Sequence, residues 1–278
     1  MIPFLLGLFG ALFYFGHSEV RHFENLAAND IHSRLHGDHA KVSVRTELEG
    51  IVGGALGDLK KVTIRASDFE TPGLPLFTEP DLSKRGLIRD LRIELTEFTI
   101  AGLHIQELVS DIPDCRFDYD LAIRKHKIRL SQSGVGRGEV VIRARDLEAF
   151  ILRKFGSIKR VSVKIADGRV LVQGYGEFLI VKANFTVDAK LVAFQGTKLQ
   201  LSEAKIALDG REATPVESKT LMDALNPIVD LTRDLKLYDA IYVDEIKLED
   251  DLLRAGGSTK IPNDPSNEKG PPGNPGGK

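Results

Sequence analysis

The sequence predicts an α+β fold: a long, strongly curved antiparallel β-sheet wrapped around amphipathic helices. Three observations predict it. Residues 177–194 alternate, with Leu179, Val181, Ala183, Phe185, Val187, Ala189 and Leu191 on one parity and Lys182, Asn184, Thr186, Asp188 and Lys190 on the other. Side chains alternate faces along a strand, so this reads as one strand with an apolar and a wet face. At ~3.3 Å per residue it spans about 50 Å, against about 17–20 Å for an ordinary strand, and strands of that length twist and wrap. Next, Asp167-Gly168 lies between two alternating runs, the pattern of a tight hairpin, and Asp209-Gly210 repeats the pair. Finally, three separate stretches place apolar residues at the three- and four-residue steps of a helix.

In chain order, residues 18–35 read as an amphipathic helix with Val20, Phe23, Ala27, Ile31 and Leu35 on one stripe. Ser18 is placed to cap its start and Gly37 to stop it. Residues 41–48 alternate through Val42 and Val44. The stretch 48–59, with four glycines among aliphatics, suits an apolar loop or a short helix. Val62, Ile64 and Ala66 mark the next strand, and Pro72, Pro75 and Pro80 keep the following segment out of a central strand. Leu91, Ile93 and Leu95 form a strand whose apolar parity then shifts to Phe98 and Ile100, as a bulge would cause. Residues 117–123 and 127–130 read as strands, and Gly134, Gly136 and Gly138 as a turn.

Residues 145–155 form the second helix, striped by Leu147, Phe150, Ile151 and Phe155 and ended by Gly156. Val161, Val163 and Ile165 enter the Asp-Gly hairpin; Val170 and Val172 leave it. Gly196 turns the long strand into Leu199, Leu201, Ala204, Ile206 and Leu208. Residues 215–235 hold the third helix, with Leu221, Leu225, Ile228, Val229 and Leu231 apolar and Ser218 as a cap. Pro227 should kink it, with Asn226 capping a second segment. Ile241, Val243, Ile246 and Leu248 mark a last strand. Residues 18–255 thus read as one domain. Residues 256–278, rich in Gly, Pro, Asn and Ser, cannot offset their ordering entropy and read as a disordered tail.

Composition excludes some classes. A formal net charge of −2 over 278 residues offers no basic field for nucleic acid. Cys115 is the one cysteine, so neither an intramolecular disulfide nor a thiolate cluster is available, and it sits on an apolar parity. Residues 1–16 are apolar but shorter than the roughly 20 residues of a spanning helix. They read as a signal peptide or a short membrane anchor, which places the body in the exported cell envelope or periplasm, held at the inner membrane where the segment is uncleaved. A buried N-terminal helix is the alternative.

Chemistry-bearing motifs are sparse. His32 and His36 are one helical turn apart, with His39 near, a spacing that can hold zinc; a solvated helix end is the reading preferred, and no metal site is assigned. No Gly-x-Ser-x-Gly occurs, and no catalytic residue is assigned. Gly134-Val135-Gly136-Arg137-Gly138 lacks the Lys-Ser/Thr of a phosphate-binding loop, and no cofactor is implied. The carboxylates Glu249, Asp250 and Asp251 look like a charged strand end. What remains is a large curved apolar wall. Its own helices could fill it, leaving a packed structural or interaction module. Alternatively sheet and helices leave a groove for acyl chains, each buried CH₂ contributing about 0.8 kcal/mol. The stripes Leu147, Phe150, Ile151 and Leu221, Leu225, Ile228 would then line it.

Several stretches together carry a family resemblance: the helix ahead of Val42-Ser43-Val44, the glycine-rich run into Val62-Thr63-Ile64-Arg65-Ala66, and Asp146-Leu147-Glu148-Ala149-Phe150-Ile151. The Asp167-Gly168 hairpin, and Leu225-Asn226-Pro227-Ile228-Val229-Asp230 leading to Ile241-Tyr242-Val243, complete it. The chain resembles the LmeA-like phospholipid-binding family of bacterial cell-envelope proteins over roughly residues 20–256. The resemblance implies a tubular lipid-binding-like architecture, non-enzymatic binding or transfer of phospholipid or other acyl lipid, contact with the membrane surface, and support of envelope assembly.

Overall fold

The structure is a computed structural model that describes residues 20–48, 57–73, 85–125, 129–177 and 182–261. Four helices lie among the described residues: α1 (20–32), α2 (Tyr119–Lys125), α3 (Ala144–Lys154) and α4 (Pro215–Leu225). The strands before α2 are β1 (Lys41–Leu48), β2 (Asp58–Ser67), β3 (Glu70–Thr71), β4 (Gly86–Ile100) and β5 (Leu103–Phe117). Then come β6 (Leu130–Gln132), β7 (Gly136–Arg143), β8 (Ile158–Ala166), β9 (Arg169–Glu177), β10 (Lys182–Phe194), β11 (Lys198–Leu208) and β12 (Arg211–Glu212). The last are β13 (Val229–Asp230), β14 (Ile241–Glu249) and β15 (Leu252–Thr259).

The strands make two sheets. The larger runs β1-β2-β4-β5-β7-β15-β14, with β3 on β4 and β6 on β5; the smaller runs β12-β11-β10-β9-β8, with β13 on β11. Pairing is antiparallel except where β2 and β3 meet β4. The sheet curls strongly into a half-barrel, and the fold is α+β as the sequence predicts. Two apolar cores result. One joins α3 and the residues around α4 to the smaller sheet; the other lies between α1 and strands β1, β2, β4 and β5. Asp167 and Gly168 both adopt positive φ between β8 and β9, as do Asp209 and Gly210 between β11 and β12, so both Asp-Gly turns form.

Several local expectations need correction. The alternating run 177–194 is not one strand: Glu177 ends β9 and pairs with Lys182 at the start of β10, with Leu179 and Val181 outside the described residues. The register sets even positions of β9 beside odd positions of β10, as in Val172 with Val187, so buried parity changes across the reversal; the run enters β9 only at Glu177 and therefore does not reveal the change. Within β10, Ala183, Phe185, Val187, Ala189 and Leu191 are all buried. Residues 117–123 leave the sheet after Phe117, because the Asp118 carboxylate accepts the Leu121 N–H at 2.8 Å and starts α2. Gly136 and Gly138 lie inside β7 rather than in a turn. A Cβ on Gly136 would stand 1.9 Å from the Asp111 carbonyl oxygen, so the glycine is there for close strand approach.

The parity shift in β4 occurs at Glu97, which has φ 47, but register with β5 is the same on both sides, so it is not a bulge. The helix starting near 215 stops at Leu225 instead of kinking to 235. Thr214 rather than Ser218 caps it, in a reciprocal capping box with Glu217. Asn226 starts no second segment: its side chain accepts from Leu201 N and donates to Leu201 O at 2.8 and 3.0 Å, joining the chain to β11. α1 ends at 32, and His36 then exchanges backbone hydrogen bonds with Glu70. Gly256 to Thr259 belong to β15, beyond the position where the tail was expected; residues 262–278 lie outside the described residues, as do 1–19, 49–56, 74–84 and 126–128.

Candidate functional site

An apolar cleft of about 150 Å³ opens under the C-terminal half of α1, on the concave face of the larger sheet. Ile31 and Leu35 form its roof. Ile64 and Ala66 of β2, then Ile93 and Leu95 of β4, form one wall. Leu108 and Ile112 of β5, Val140 of β7 and Ala255 of β15 form the other. Period-two alternation brings these side chains to one face. Ile93, Leu95, Leu108 and Val140 are only partly buried, because the space before them is unfilled. At one end Phe98 stacks on Phe69, centroids 5.1 Å apart. A smaller apolar space, lined by Phe23, Ala27, Ile31, Val44, Leu91 and Phe117 among others, continues beneath the same helix.

Ionic contacts hold α1 over the cleft. The Glu24 carboxylate accepts the Thr46 N–H at 2.7 Å and pairs with Arg45 at 3.2 Å. Asp30 pairs with Arg129 at 3.0 Å, both nearly buried. At the rim, Lys260 pairs with Asp239 at 2.6 Å, while Glu139 pairs with Arg254 at 3.3 Å on the opposite face of the sheet. Within the cleft the polar side chains are Thr71, Ser110 and Thr259, with Glu139 and Lys260 at its edge.

The six residues expected to line a groove lie elsewhere. Leu147, Phe150 and Ile151 on α3, and Leu221, Leu225 and Ile228 at α4, are 1–3% exposed and meet in one packed core with the smaller sheet. None borders the cleft. Sequence reading did not single out Ile64, Ala66, Ile93, Leu95 and Leu108 as lining a cleft. Their parity was legible, but parity does not tell a wall facing space from a wall facing a packed partner.

The remaining candidates are structural. Among the described residues no His, Cys, Asp and Glu group could hold a metal ion, and His32, His36 and His39 assemble none. The Cys115 thiol is fully buried, and burial, aided by the Asp114 charge, pushes its pKa up to about 12, so it stays protonated. Asp250 and Asp251 form the β14–β15 turn, where the Asp251 carboxylate accepts the Ile165 N–H at 3.0 Å. The Glu97 carboxyl is held down at about 2 by hydrogen bonds from Arg143 and, less, from His104. Glu97 thereby ties β4 to the start of α3.

The family model described as LmeA-like phospholipid-binding matches residues 85–258, from the start of β4 to the last residues of β15. No curated protein and no solved structure matches the chain. The matched span supplies the β4, β5, β7, β14 and β15 walls of the cleft, while α1 and β2 precede it.

Proposed function

Because the chain belongs to the LmeA-like phospholipid-binding family, we propose that it binds phospholipid or another acyl lipid by taking an acyl chain into the cleft beneath α1. The observation that carries this reading is an unfilled cavity with almost wholly apolar walls in a fold whose other helices are packed tight. Binding is desolvation: each CH₂ moved from water into such walls contributes about 0.8 kcal/mol. There is no covalent step, no cofactor and no nucleic acid in this account.

Size bounds the mechanism. A volume near 150 Å³ is about that of a cavity that holds a molecule the size of benzene. A whole acyl chain needs more room, so uptake requires α1 to move away from β2 and β4. Its ionic contacts at Glu24 and Asp30 are the attachments that have to yield. The head group then lies at the rim, near Lys260. In the cell, we place the protein in the exported envelope, at a membrane surface, supporting envelope assembly by binding or transferring lipid.

Native mass spectrometry of the full chain, with solvent extraction in parallel, tests this. The expected result is a discrete added mass that extracts as phospholipid, or that forms after incubation with liposomes. A mass that stays bare under both conditions would favour a packed interaction module instead.

A further inference from the structure

We propose that the hydroxyls of Ser110 and Thr259 form a seat for a carbonyl oxygen at the head of an acyl chain, and so set how deeply the lipid enters the cleft. This rests on the lipid-binding reading above and specifies the chemistry that reading leaves open.

Ser110 lies on β5 and Thr259 on β15, on either side of β7. Ser110 pairs with Gly138, and Thr259 with Gly136. Their hydroxyls meet at 2.7 Å. They can do so because Gly138 presents no side chain between them: a Cβ there would stand 2.7 Å from Thr259 Cγ2 and 3.5 Å from Ser110 Cβ. Both residues are buried, at 4% and 7% exposure, and both line the cleft. Gly256 and Gly257 line it beside them, so the wall is backbone here, with the Tyr242 carbonyl oxygen 2.0 Å from where a Gly257 Cβ would stand.

Counting protons gives the inference. Each hydroxyl carries one donor hydrogen and two lone pairs. The bond between them uses one hydrogen, whichever residue donates. The second hydrogen has no acceptor among the hydrogen bonds of the described residues, and the cleft around the pair is walled by isoleucine, leucine and valine. An uncommitted O–H in apolar surroundings is unfavourable until an acceptor arrives. Water is a poor occupant, since its own two hydrogens would then face the aliphatic walls. An ester carbonyl is a good one: it accepts, donates nothing, and is joined directly to an alkyl chain. The other polar lining groups are engaged. Thr71 donates to the Gly73 carbonyl, Lys260 pairs with Asp239 at the rim, and the Glu139 side chain pairs with Arg254 on the far face of the sheet.

The test is a competition on the full chain, read by native mass spectrometry. Dipalmitoyl phosphatidylglycerol competes with its dihexadecyl ether analogue, which has the same head group and chain length but no carbonyl. One hydrogen bond predicts that wild type captures the ester about fivefold in preference to the ether. The S110A/T259V double variant should capture both equally. Replacing both partners of a buried pair by apolar groups of similar shape is close to neutral for folding, and retained capture of the ether lipid reports the fold in the same sample. Equal capture by wild type, or an undiminished preference in the double variant, would overturn the proposal. Failure of wild type to capture either lipid would instead overturn the lipid-binding reading. A third arm with palmitic acid separates two sources of the same chemistry. If wild type takes the acid ahead of the ester lipid and the double variant does not, the seat stands and its occupant is a free carboxyl.

Discussion

Replacing Ala66 with leucine should abolish lipid capture without weakening the fold. Ala66 is 5% exposed and lines the cleft beneath α1. The substitution adds three carbons. If all three enter apolar space that is empty without ligand, they contribute up to about 2.4 kcal/mol at ~0.8 kcal/mol each. The control is Ala189→Leu. Ala189 is 0% exposed on β10, in the core shared with α3 and the smaller sheet, and does not border the cleft. Forcing the same carbons into full packing costs about 1–3 kcal/mol. At about 2–4 °C per kcal/mol for a chain of this size, the two variants should move Tm in opposite directions by several degrees. Calorimetry gives the Tm, and native mass spectrometry gives the lipid adduct. If both variants lose stability alike, the cleft is not an unfilled space and the reasoning fails. If Ala66→Leu is stable yet still takes up lipid, the lipid lies elsewhere.

Further expectations follow from other parts of the fold. Leu225, 1% exposed, should tolerate Leu225→Met at under about 1.5 kcal/mol with lipid capture intact, whereas Leu225→Asp should remove the cooperative unfolding transition altogether; a folded Leu225→Asp variant that specifically lost lipid would return the groove to α4. The Cys115 thiol, pushed up to about 12, should resist a disulfide reagent at pH 8 in the native chain and titrate as one thiol in urea. Rapid labelling of folded protein would contradict its burial. Glu97, depressed to about 2 by Arg143, stabilises the fold above the ordinary carboxylate range, and this contribution is lost as pH falls from about 4.5 towards 2. Its side chain is 43% exposed, so screening leaves about 1 kcal/mol. Acid titration of Glu97→Gln should therefore be flatter than that of wild type over this interval, and superimposable curves would remove Glu97 from the account.

Fold class was legible because hydrophobic period is local. The alternation of β10, the helical stripe of α3 and both Asp-Gly turns need no tertiary information. What escaped depends on neighbours. The β9–β10 reversal changes the buried parity, but the run 177–194 includes only the last residue of β9, so it mimics one strand. Gly136 and Gly138 look like turn residues until Asp111 and Thr259 are seen to press on them. Asn226 looks like a helix cap until its amide is found on the β11 backbone. The helix stripes were visible, but a stripe records only that a face is covered. Whether protein or ligand covers it depends on how closely the sheet approaches. At α3 and α4 it packs throughout; at the C-terminal end of α1 it leaves a space. The hydroxyl pair of Ser110 and Thr259 spans 149 positions in sequence, and no local pattern announces it.

The most direct test is photocrosslinking with a phosphatidylglycerol that carries a diazirine in its acyl chain, followed by peptide mapping on the full chain. The account predicts adducts on the cleft walls, at residues 64–66, 93–100, 108–112 and 255–261, and on α1 near Ile31. Adducts concentrated at Leu147–Ile151 or Leu221–Ile228, or a chain that takes no label from liposomes, would contradict it.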